Sequence, residues 1–388
     1  MENKTRLTYI TSGTFPTSKA SSIQVMQMCA AFAEAGAMVK LIARQTATDV
    51  DVFAYYGVAP TFTFTTQSWW NIPRAADVFQ ARSVFAERGS NWVCYTRGRD
   101  LTAPMFALMR GARAMIEVHG LPATARERWM LQQFSKHPRA HIISISQPLS
   151  DHYEREYGIK TFLAPDAVDI ARFTPQLTKE EARQQLGVGQ VGNLPYIGVG
   201  QISNLPIIVY VGGLYEGRGL EILFKAVASL PVQVLIVGGR NDDDVKMWRD
   251  RAAAAGAMNV TFAGYQPPTR VPLYLFSADV LVMPYNSRIL TGSGEDITKW
   301  TSPLKLYEYL AAGRPIVASD VIPMRSVLTH EDNALLTQPD NADSLRAAIQ
   351  RLIDEKGLGA DLAASARKMA EANTWAARAK KILELASA

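Results

Sequence analysis

Short apolar runs that alternate with helical stretches constrain the fold of this chain more than any other feature. Each run is apolar almost throughout, which is typical of a parallel strand buried on both faces of a sheet. Two sets of such runs predict an α/β fold with two doubly wound, Rossmann-like domains. The runs lie at residues 7–10, 38–42, 92–95, 114–118 and 142–145, and then at 207–211, 232–237, 260–262, 280–283 and 316–318.

Length supports the same division. The chain has 388 residues, which exceeds one ordinary doubly wound domain and fits two. We predict a first domain over residues 1–168, a linker near 163–175 and a second domain over 169–373. Residues 187–208 contain a local tandem duplication, to which we assign no function.

Charge and cysteine content narrow the class of partner. Residues 72–139 carry 11 basic and 5 acidic side chains, an excess of six positive charges that favours an acidic partner or a solvated basic surface. No nucleic-acid motif accompanies this charge, so we predict no nucleic-acid partner. Cys29 and Cys94 are expected to be buried free thiols of a cytoplasmic protein, and neither cysteines nor histidines show metal-ligand spacing.

The segment from Thr301 to Asp320 carries the strongest chemical signal. Ser302, Pro303, Leu304 and Lys305 open a predicted helix, because proline is favoured at the first helical position. Free backbone N–H groups at such a helix start attract a diphosphate, and Glu308 follows within two turns. An ordinary helix–turn–strand unit is the structural alternative.

Three further segments carry candidate residues. The glycine-rich run from Tyr210 to Gly219 contains Arg218, and either ligand approach or helix–sheet packing explains its glycines. His119 follows a predicted strand, where ligands bind in open α/β sheets, although a lone histidine is also commonly structural. Ser21 and Ser22 follow the first strand, and at least one of them is expected to cap the next helix.

Together these motifs resemble the donor-binding signature of glycosyltransferase family 4, a large group of retaining glycosyltransferases with the GT-B fold. The resemblance extends from about residue 7 to residue 386 and is strongest in residues 205–320. It implies two Rossmann-like domains that face a central cleft. It also implies that a C-terminal helix, residues 374–388, crosses back to the first domain.

The resemblance assigns donor-binding roles to the second domain. Glu308 matches the glutamate that holds the donor ribose, and Tyr265 lies in the segment that contacts the nucleotide base. Arg218 matches a phosphate-binding lysine, whereas Gly213 stands where the family has an arginine, so Lys305 is expected to compensate. The remaining diphosphate contacts fall to the backbone of Ser302, Pro303 and Leu304.

One departure from the family pattern concerns the donor sugar. Trp300 stands where the family has a first glutamate that grips the sugar hydroxyls, and Glu295 or Asp296 is expected to take over. In the first domain, His119 matches a histidine at the sugar's 6-position and is expected to be catalytic together with Arg218 and Lys305. The acceptor-side candidates are Ser21, Ser22 and Arg97.

The implied reaction is the retaining, metal-independent transfer of a sugar from a nucleotide diphosphate sugar, UDP- or GDP-linked, to a hydroxyl of a glycan, glycolipid or lipid-linked acceptor. It would serve polysaccharide biosynthesis and needs no cofactor or metal. The basic excess and the tryptophans at 69–70 and 129 favour peripheral contact with an anionic membrane, at the inner face. Two alternatives remain open, a nucleotide-sugar 2-epimerase of the same fold and a catalytically degenerate sugar-nucleotide-binding partner protein.

Overall fold

The chain forms two compact units in the computed structural model, which describes residues 4–46, 49–98, 100–187, 205–290 and 296–387. Unit 1 comprises Met1–Ala167, Lys299–Ser302 and Thr374–Ala388, and unit 2 comprises Val168–Thr298 and Pro303–Asn373. The first division lies one residue before the predicted 168/169 boundary. Lys299–Ser302, which the sequence analysis placed in the second domain, groups with unit 1. Most of the predicted duplication, residues 188–204, lies outside the described residues.

The strands follow the apolar runs. They are β1 (Arg6–Thr14), β2 (Met38–Arg44), β3 (Thr63–Gln67), β4 (Val93–Arg97), β5 (Arg113–Val118), β6 (Ala140–Ser144), β7 (Phe162–Leu163), β8 (Ile207–Val211), β9 (Gln233–Val237), β10 (Val260–Gly264), β11 (Val280–Met283), β12 (Ile316–Ser319) and β13 (Leu335–Thr337).

Helices connect most of these strands. They are α1 (Ala20–Glu34), α2 (Val52–Tyr56), α3 (Ala75–Phe85), α4 (Thr102–Met109), α5 (Ala125–Ser135), α6 (Gln147–Tyr157), α7 (Lys179–Leu186), α8 (Leu220–Val227), α9 (Asp242–Ala254), α10 (Val271–Phe276), α11 (Leu304–Ala312), α12 (Ile322–Arg325), α13 (Ala342–Asp354), α14 (Lys356–Ala372) and α15 (Trp375–Ser387). Short 3₁₀ turns lie at Ile170–Phe173 and Pro268–Arg270.

Each unit is built on a parallel sheet with the strand order of a doubly wound fold. Unit 1 has the order β3-β2-β1-β4-β5-β6-β7, and unit 2 has the order β10-β9-β8-β11-β12-β13. Every strand pair recorded in the two sheets is parallel, with Leu7 of β1 opposite Val39 on one side and Val93 on the other. The order reverses beside β1 and beside β8, and ligands of such sheets bind outside the carboxyl ends of the strands at these points.

The buried cores explain why the strand signal is continuous. In β8, Ile207, Val209 and Val211 point into one core of unit 2, whereas Ile208 and Tyr210 point into the core on the other face. Successive residues of a strand alternate between faces, so a strand covered on both sides is apolar at every position. This covering confirms the predicted α/β architecture.

The C-terminal helix belongs to unit 1, although the chain reaches it from unit 2. The Thr374 hydroxyl caps it by accepting the backbone N–H of Ala377 at 3.2 Å. Its Arg378 is buried against α1, where Nη1 lies 2.9 Å from the sulfur of Met28. No helix of the described residues is long and apolar enough to cross a membrane. Cys29 and Cys94 are buried free thiols, as predicted.

Candidate active site

In unit 1, the candidate residues Arg97 and His119 meet at the carboxyl ends of neighbouring strands. Arg97 ends β4 and His119 directly follows β5. The Arg97 Nη2 atom donates to His119 Nδ1 at 2.9 Å. The fold therefore brings one acceptor-side candidate into contact with one catalytic candidate, at the edge of the sheet where a ligand is expected.

A buried carboxylate, Glu117, organises the groups around His119. Its oxygens accept hydrogen bonds from Tyr95 at 2.5 Å, from Arg378 at 2.8 Å and from Gln24 at 2.6 Å. Burial alone would raise the pKa of Glu117, but Arg378 and the hydrogen bonds outweigh it and hold that pKa well below its usual value. Glu117 is therefore a carboxylate at neutral pH, although it is fully buried.

Because guanidinium groups only donate, the contact from Arg97 makes Nδ1 of His119 an acceptor. The proton then resides on Nε2, which donates to Glu117 Oε1 at 2.5 Å. Burial and the charge of Arg97 lower the pKa of His119 to about 4, against the opposing effect of Glu117. His119 is thus a neutral imidazole whose two ring nitrogens are both occupied by protein groups.

Ser302 and Trp300 lie in unit 1, with the short segment Lys299–Ser302. The Ser302 hydroxyl accepts the backbone N–H of Asp166 at 3.1 Å, and the Trp300 carbonyl accepts the hydroxyl of Ser146 at 2.9 Å. The Trp300 ring packs edge-on against His152 at 4.9 Å between centroids. Burial raises the pKa of the neighbouring Asp166 carboxyl to about 7.

The two serines of α1 do not have the predicted capping role. Lys19 occupies the N-cap position without a side-chain cap, and Ser21 and Ser22 both lie inside the helix. Ser22 is buried, and its hydroxyl shares a 2.7 Å hydrogen bond with that of Thr17. The expectation failed because the helix begins at Ala20, which places both serines after the N-cap position.

In unit 2, the glycine-rich loop after β8 is shaped by tyrosine rings. A Cβ atom on Gly212 would lie 2.6 Å from the Tyr210 hydroxyl, and one on Gly213 would lie 2.1 Å from the Tyr215 ring. The absence of side chains at these positions therefore makes room for the ring of Tyr210 in β8 and for that of Tyr215 in the loop. Gly219 differs, because its φ of 72° and its contact with the Pro284 carbonyl both exclude a larger residue.

Arg218 lies between two tyrosines of this loop region. Its guanidinium carbon is 4.8 Å from the centroid of the Tyr215 ring and 4.6 Å from that of Tyr285, distances typical of cation–π contacts. Nη2 of Arg218 also donates to the Tyr215 hydroxyl at 2.8 Å. Tyr215 follows β8 and Tyr285 follows β11, so Arg218 is held where the strand order of unit 2 reverses.

The donor candidates Lys305 and Glu308 lie in the first two turns of α11. The Tyr309 hydroxyl accepts the backbone N–H of Val211 at 2.6 Å, which fixes this helix over the carboxyl end of β8. Pro303 is the N-cap and Leu304 the first helical residue, so the helix begins one residue later than predicted. Leu304 and Lys305 therefore occupy the first turn, where backbone N–H groups lack helical partners.

Glu308 is buried between two cations. Lys305 Nζ contacts one carboxylate oxygen at 2.7 Å, and Arg172 Nη1 contacts the other at 3.4 Å. Burial would raise the pKa of Glu308, but Lys305 and Arg172 lower it below the usual value. Arg172 was missed by the sequence analysis, since it lies 136 residues from Glu308 in the chain.

The remaining candidates are dispersed. Tyr265 is 42% exposed and directly follows β10. Asp296 is also exposed, accepts hydrogen bonds from Thr298 and pairs with Arg288 at 2.9 Å, which lowers its pKa to about 2. Glu295 lies outside the described residues. Within the described part of the chain, no three His, Cys, Asp or Glu side chains form a group that could hold a metal ion.

Comparison with known proteins agrees with the predicted fold. Residues 205–355 match the family model described as glycosyl transferases group 1. A D-inositol 3-phosphate glycosyltransferase of Corynebacterium aurimucosum is 23% identical over 67% of this chain and 59% of that protein. A phosphatidyl-myo-inositol mannosyltransferase of Mycolicibacterium smegmatis is 28% identical over 46% of this chain and 44% of that protein. The chain thus spans about half the length of these curated relatives.

Solved structures match nearly the whole chain. A sucrose-phosphate synthase from Thermosynechococcus elongatus has a TM-score of 0.75 at 20% identity, with 98% of each chain covered. Anabaena Alr3699/HepE in complex with UDP and glucose has a TM-score of 0.73 at 16% identity, covering 98% of this chain and 99% of that one. These findings confirm the predicted resemblance and the predicted fold: the chain has the GT-B fold, and its residues 205–355 match the model of the glycosyl transferases group 1 family.

Proposed function

We propose that this protein is a retaining glycosyltransferase that takes a sugar from a UDP- or GDP-sugar without a metal ion. The observation that carries the proposal is the charge balance of three cations in unit 2, Lys305, Arg172 and Arg218. Lys305 and Arg172 share one carboxylate, Glu308, and Arg218 has no ion pair among the described contacts, so the three cations carry two uncompensated positive charges. That surplus suits a diphosphate, whose negative charge it would neutralise.

In the proposed reaction, the nucleotide binds to unit 2. Glu308 holds the ribose hydroxyls and Tyr265 lies beside the base, while Gly213 and the backbone of Pro303 and Leu304 approach the diphosphate. As the bond from the anomeric carbon to the diphosphate breaks, Arg218 and Lys305 stabilise the charge that develops on the departing oxygen. One well-placed donor of this kind is worth about 3 kcal/mol of barrier.

Retention follows if the acceptor hydroxyl attacks from the side of the leaving group and its proton passes to the departing diphosphate. The proposed acceptor-side contacts are Ser21, Ser22 and Arg97. Ser302 is proposed to contact the diphosphate of the donor. His119 would line the site as a neutral imidazole near the sugar's 6-position, with its nitrogens already bonded to Arg97 and Glu117. Asp296 or Glu295 is proposed to bind the sugar hydroxyls. Trp300, at the position of the family's first glutamate, packs against His152.

The proposed acceptor is a hydroxyl of a glycan, glycolipid or lipid-linked intermediate. The names of the curated relatives support a phosphorylated or lipid-linked alcohol, since they mention D-inositol 3-phosphate and phosphatidyl-myo-inositol. The Anabaena structure is a complex with UDP and glucose, which supports a UDP-sugar as the first donor to examine.

The donor site is tested with UDP, GDP, ADP and dTDP, each measured by thermal shift with and without EDTA. We expect one of them to stabilise the wild type irrespective of EDTA, and Glu308→Ala to weaken its binding at least tenfold. Glu180→Ala is the matched control, because Glu180 is exposed on α7 of the same unit. If no nucleotide diphosphate stabilises the wild type, the proposed donor site is wrong.

Turnover assays with the stabilising nucleotide's sugars then separate the transferase from its alternatives. Transfer to an added acceptor supports the proposal. Formation of an epimer without acceptor would indicate the 2-epimerase, for which no contact in the described residues argues. Binding without turnover on any acceptor would indicate a degenerate sugar-nucleotide-binding protein, the alternative that the packing of Trp300 in unit 1 favours.

We further propose that unit 1 contacts an anionic membrane peripherally, on the cytoplasmic side. Trp70 and Trp129 are 49% and 58% exposed, and Arg82 stacks on the Trp70 ring at 4.1 Å. Asp77 pairs with Arg74 and lies 3.9 Å from Arg126, which brings the two tryptophan segments together. Co-sedimentation with vesicles should detect binding to anionic but not to zwitterionic lipid, and Trp70→Ser with Trp129→Ser should abolish it.

A further inference from the structure

The ring of Tyr215 occupies the space beside Gly213 in the loop after β8. A Cβ atom added to Gly213 would lie 2.1 Å from one ring carbon of Tyr215 and 2.8 Å from the carbon that bears the hydroxyl. Any side chain at position 213 is therefore excluded while Tyr215 keeps this position. The resemblance described above places an arginine at position 213, so in this chain a tyrosine fills the place of that cation.

The hydroxyl of Tyr215 accepts one hydrogen bond but donates none to the described residues. It accepts a hydrogen bond from Arg218 Nη2 at 2.8 Å, which engages one oxygen lone pair. Among the described residues, no acceptor is recorded for its hydrogen atom. A phenol hydroxyl both donates and accepts, so Tyr215 retains one donor directly beside the Arg218 cation.

Arg218 itself is held rigidly and carries no counter-charge. The rings of Tyr215 and Tyr285 lie on its guanidinium at 4.8 and 4.6 Å. No carboxylate lies within 4 Å of it in the described ranges, and its Nε atom is buried without a partner. A partly buried cation with no counter-charge favours an anionic ligand, because its loss of hydration is otherwise uncompensated.

Together, these observations point to a composite anion contact made by two side chains. We infer that the Tyr215 hydroxyl donates to an oxygen of the bound diphosphate, next to the charge of Arg218, and so replaces the missing second cation with a neutral donor. This inference rests on the proposed donor site in unit 2, and it adds a specificity residue to that site.

Two properties follow from a neutral donor in this position. Tyr215 should strengthen binding of a nucleoside diphosphate but leave binding of the corresponding nucleoside unchanged, since the nucleoside lacks the phosphate oxygens. Gly213→Ala should weaken diphosphate binding as much as loss of the Tyr215 hydroxyl does. The new Cβ displaces the tyrosine ring from Arg218, although every atom of Tyr215 is still present. In Tyr215→Phe, by contrast, the ring keeps its place and only the oxygen is lost.

The experiment measures dissociation constants by calorimetry for UDP and uridine, or for GDP and guanosine if GDP stabilises the wild type. We expect Tyr215→Phe and Gly213→Ala to weaken binding of the diphosphate about tenfold, which is the loss typical of one hydrogen bond to a charged group. Binding of the nucleoside should weaken less than twofold. Tyr274→Phe is the matched control, because Tyr274 lies on α10 of the same unit and its hydroxyl has no hydrogen bond to the described part of the chain. Its diphosphate affinity should equal that of the wild type.

The possible outcomes separate this inference from the proposed function. If the wild type binds the diphosphate and Tyr215→Phe binds it equally well, the role of Tyr215 is refuted while the donor site stands. Equal weakening of diphosphate and nucleoside would also refute it, because the variant then disturbs the whole site. If the wild type binds no nucleoside diphosphate, both the donor site and this inference are overturned.

Discussion

The charged cluster of unit 1 and that of unit 2 differ in how fully their members are satisfied. In unit 1, the Glu117 carboxylate accepts hydrogen bonds from four side chains, those of Arg378, Tyr95, Gln24 and His119. The side chains of Glu117 and Arg378 are 0% and 4% exposed. Around Glu308, the side chains of Lys305 and Arg172 are 27% and 12% exposed, and Arg218 carries no ion pair among the described contacts.

Under the proposed function, this difference distinguishes a cluster that stabilises the fold from a cluster that binds a ligand. A buried ion pair with completed hydrogen bonds offers nothing to a ligand, and its loss leaves an unpaired buried charge. A partly exposed cluster with surplus cations binds an anion at little cost to the fold. We therefore expect loss of Arg378 to change stability, and loss of a cation beside Glu308 to change affinity.

The largest effect is expected for Arg378→Met. Removing this cation leaves Glu117 buried without its strongest partner, and such losses cost about 3–5 kcal/mol of unfolding free energy. The thermal midpoint should fall by roughly 10 °C for a unit of this size. Lys380→Met is the control, because Lys380 lies on the same helix and is exposed. Equal midpoints for the two variants would contradict the structural role of this cluster.

A second prediction concerns the pH dependence of stability in unit 1. Burial raises the pKa of Asp166 from 3.8 to about 7, so the folded state retains a proton that the unfolded state releases above pH 4. This residue therefore costs stability progressively from pH 4 to pH 7, by at most about 4 kcal/mol at 1.4 kcal/mol per pKa unit. Above pH 7 the cost is constant.

Asp166→Asn imitates the protonated carboxyl and should remove that cost. Its thermal midpoint should match that of the wild type near pH 4 and exceed it increasingly up to pH 7. Asp151→Asn, at an exposed position on α6, should show no such divergence. A difference that is constant with pH would show that the Asp166 carboxyl is ionised in the fold.

The sequence predicted the interior of both sheets better than their edges. The bounds of β8 and β11 agree with the apolar runs 207–211 and 280–283, because both strands are covered on two faces. The strands β3, β7 and β13 were missed, and each lies at the edge of its sheet. Edge strands are short or partly polar, as in Thr63–Gln67, so their hydrophobic signal is weak.

The candidate sites show a related limit. Arg218, Lys305 and Glu308 were predicted as site residues because they lie within short motifs. The charged partners of buried carboxylates were not predicted, because they are distant in the sequence. Arg172 lies 136 residues from Glu308, and Arg378 lies 261 residues from Glu117. Only the folded chain brings such pairs together. The role of Tyr215 was likewise hidden, because nothing in the sequence shows that its ring lies against Gly213.

A third prediction tests the cluster around Glu308 in unit 2. Lys305→Met removes a cation that is partly exposed, so Glu308 keeps Arg172 and the unfolding free energy should change by less than about 1 kcal/mol. Nucleoside diphosphate affinity should fall about tenfold, equivalent to about 1.4 kcal/mol. Lys225→Met, at an exposed position on α8, should change neither quantity. A loss of stability as large as that of Arg378→Met would remove the distinction between the clusters.

The smallest change in stability is expected for the helix N-caps, which are similar in the two units. Thr374 caps α15 in unit 1 by accepting the N–H of Ala377 at 3.2 Å, and Asn341 caps α13 in unit 2 by accepting that of Ser344 at 2.9 Å. Substituting either cap with alanine should cost about 1 kcal/mol, since one N–H loses its partner in each case. Thr374→Ser and Asn341→Asp should retain most of the stability. Because neither cap belongs to a charged cluster, unequal losses measured by denaturant unfolding would show that the units differ in more than their charged clusters.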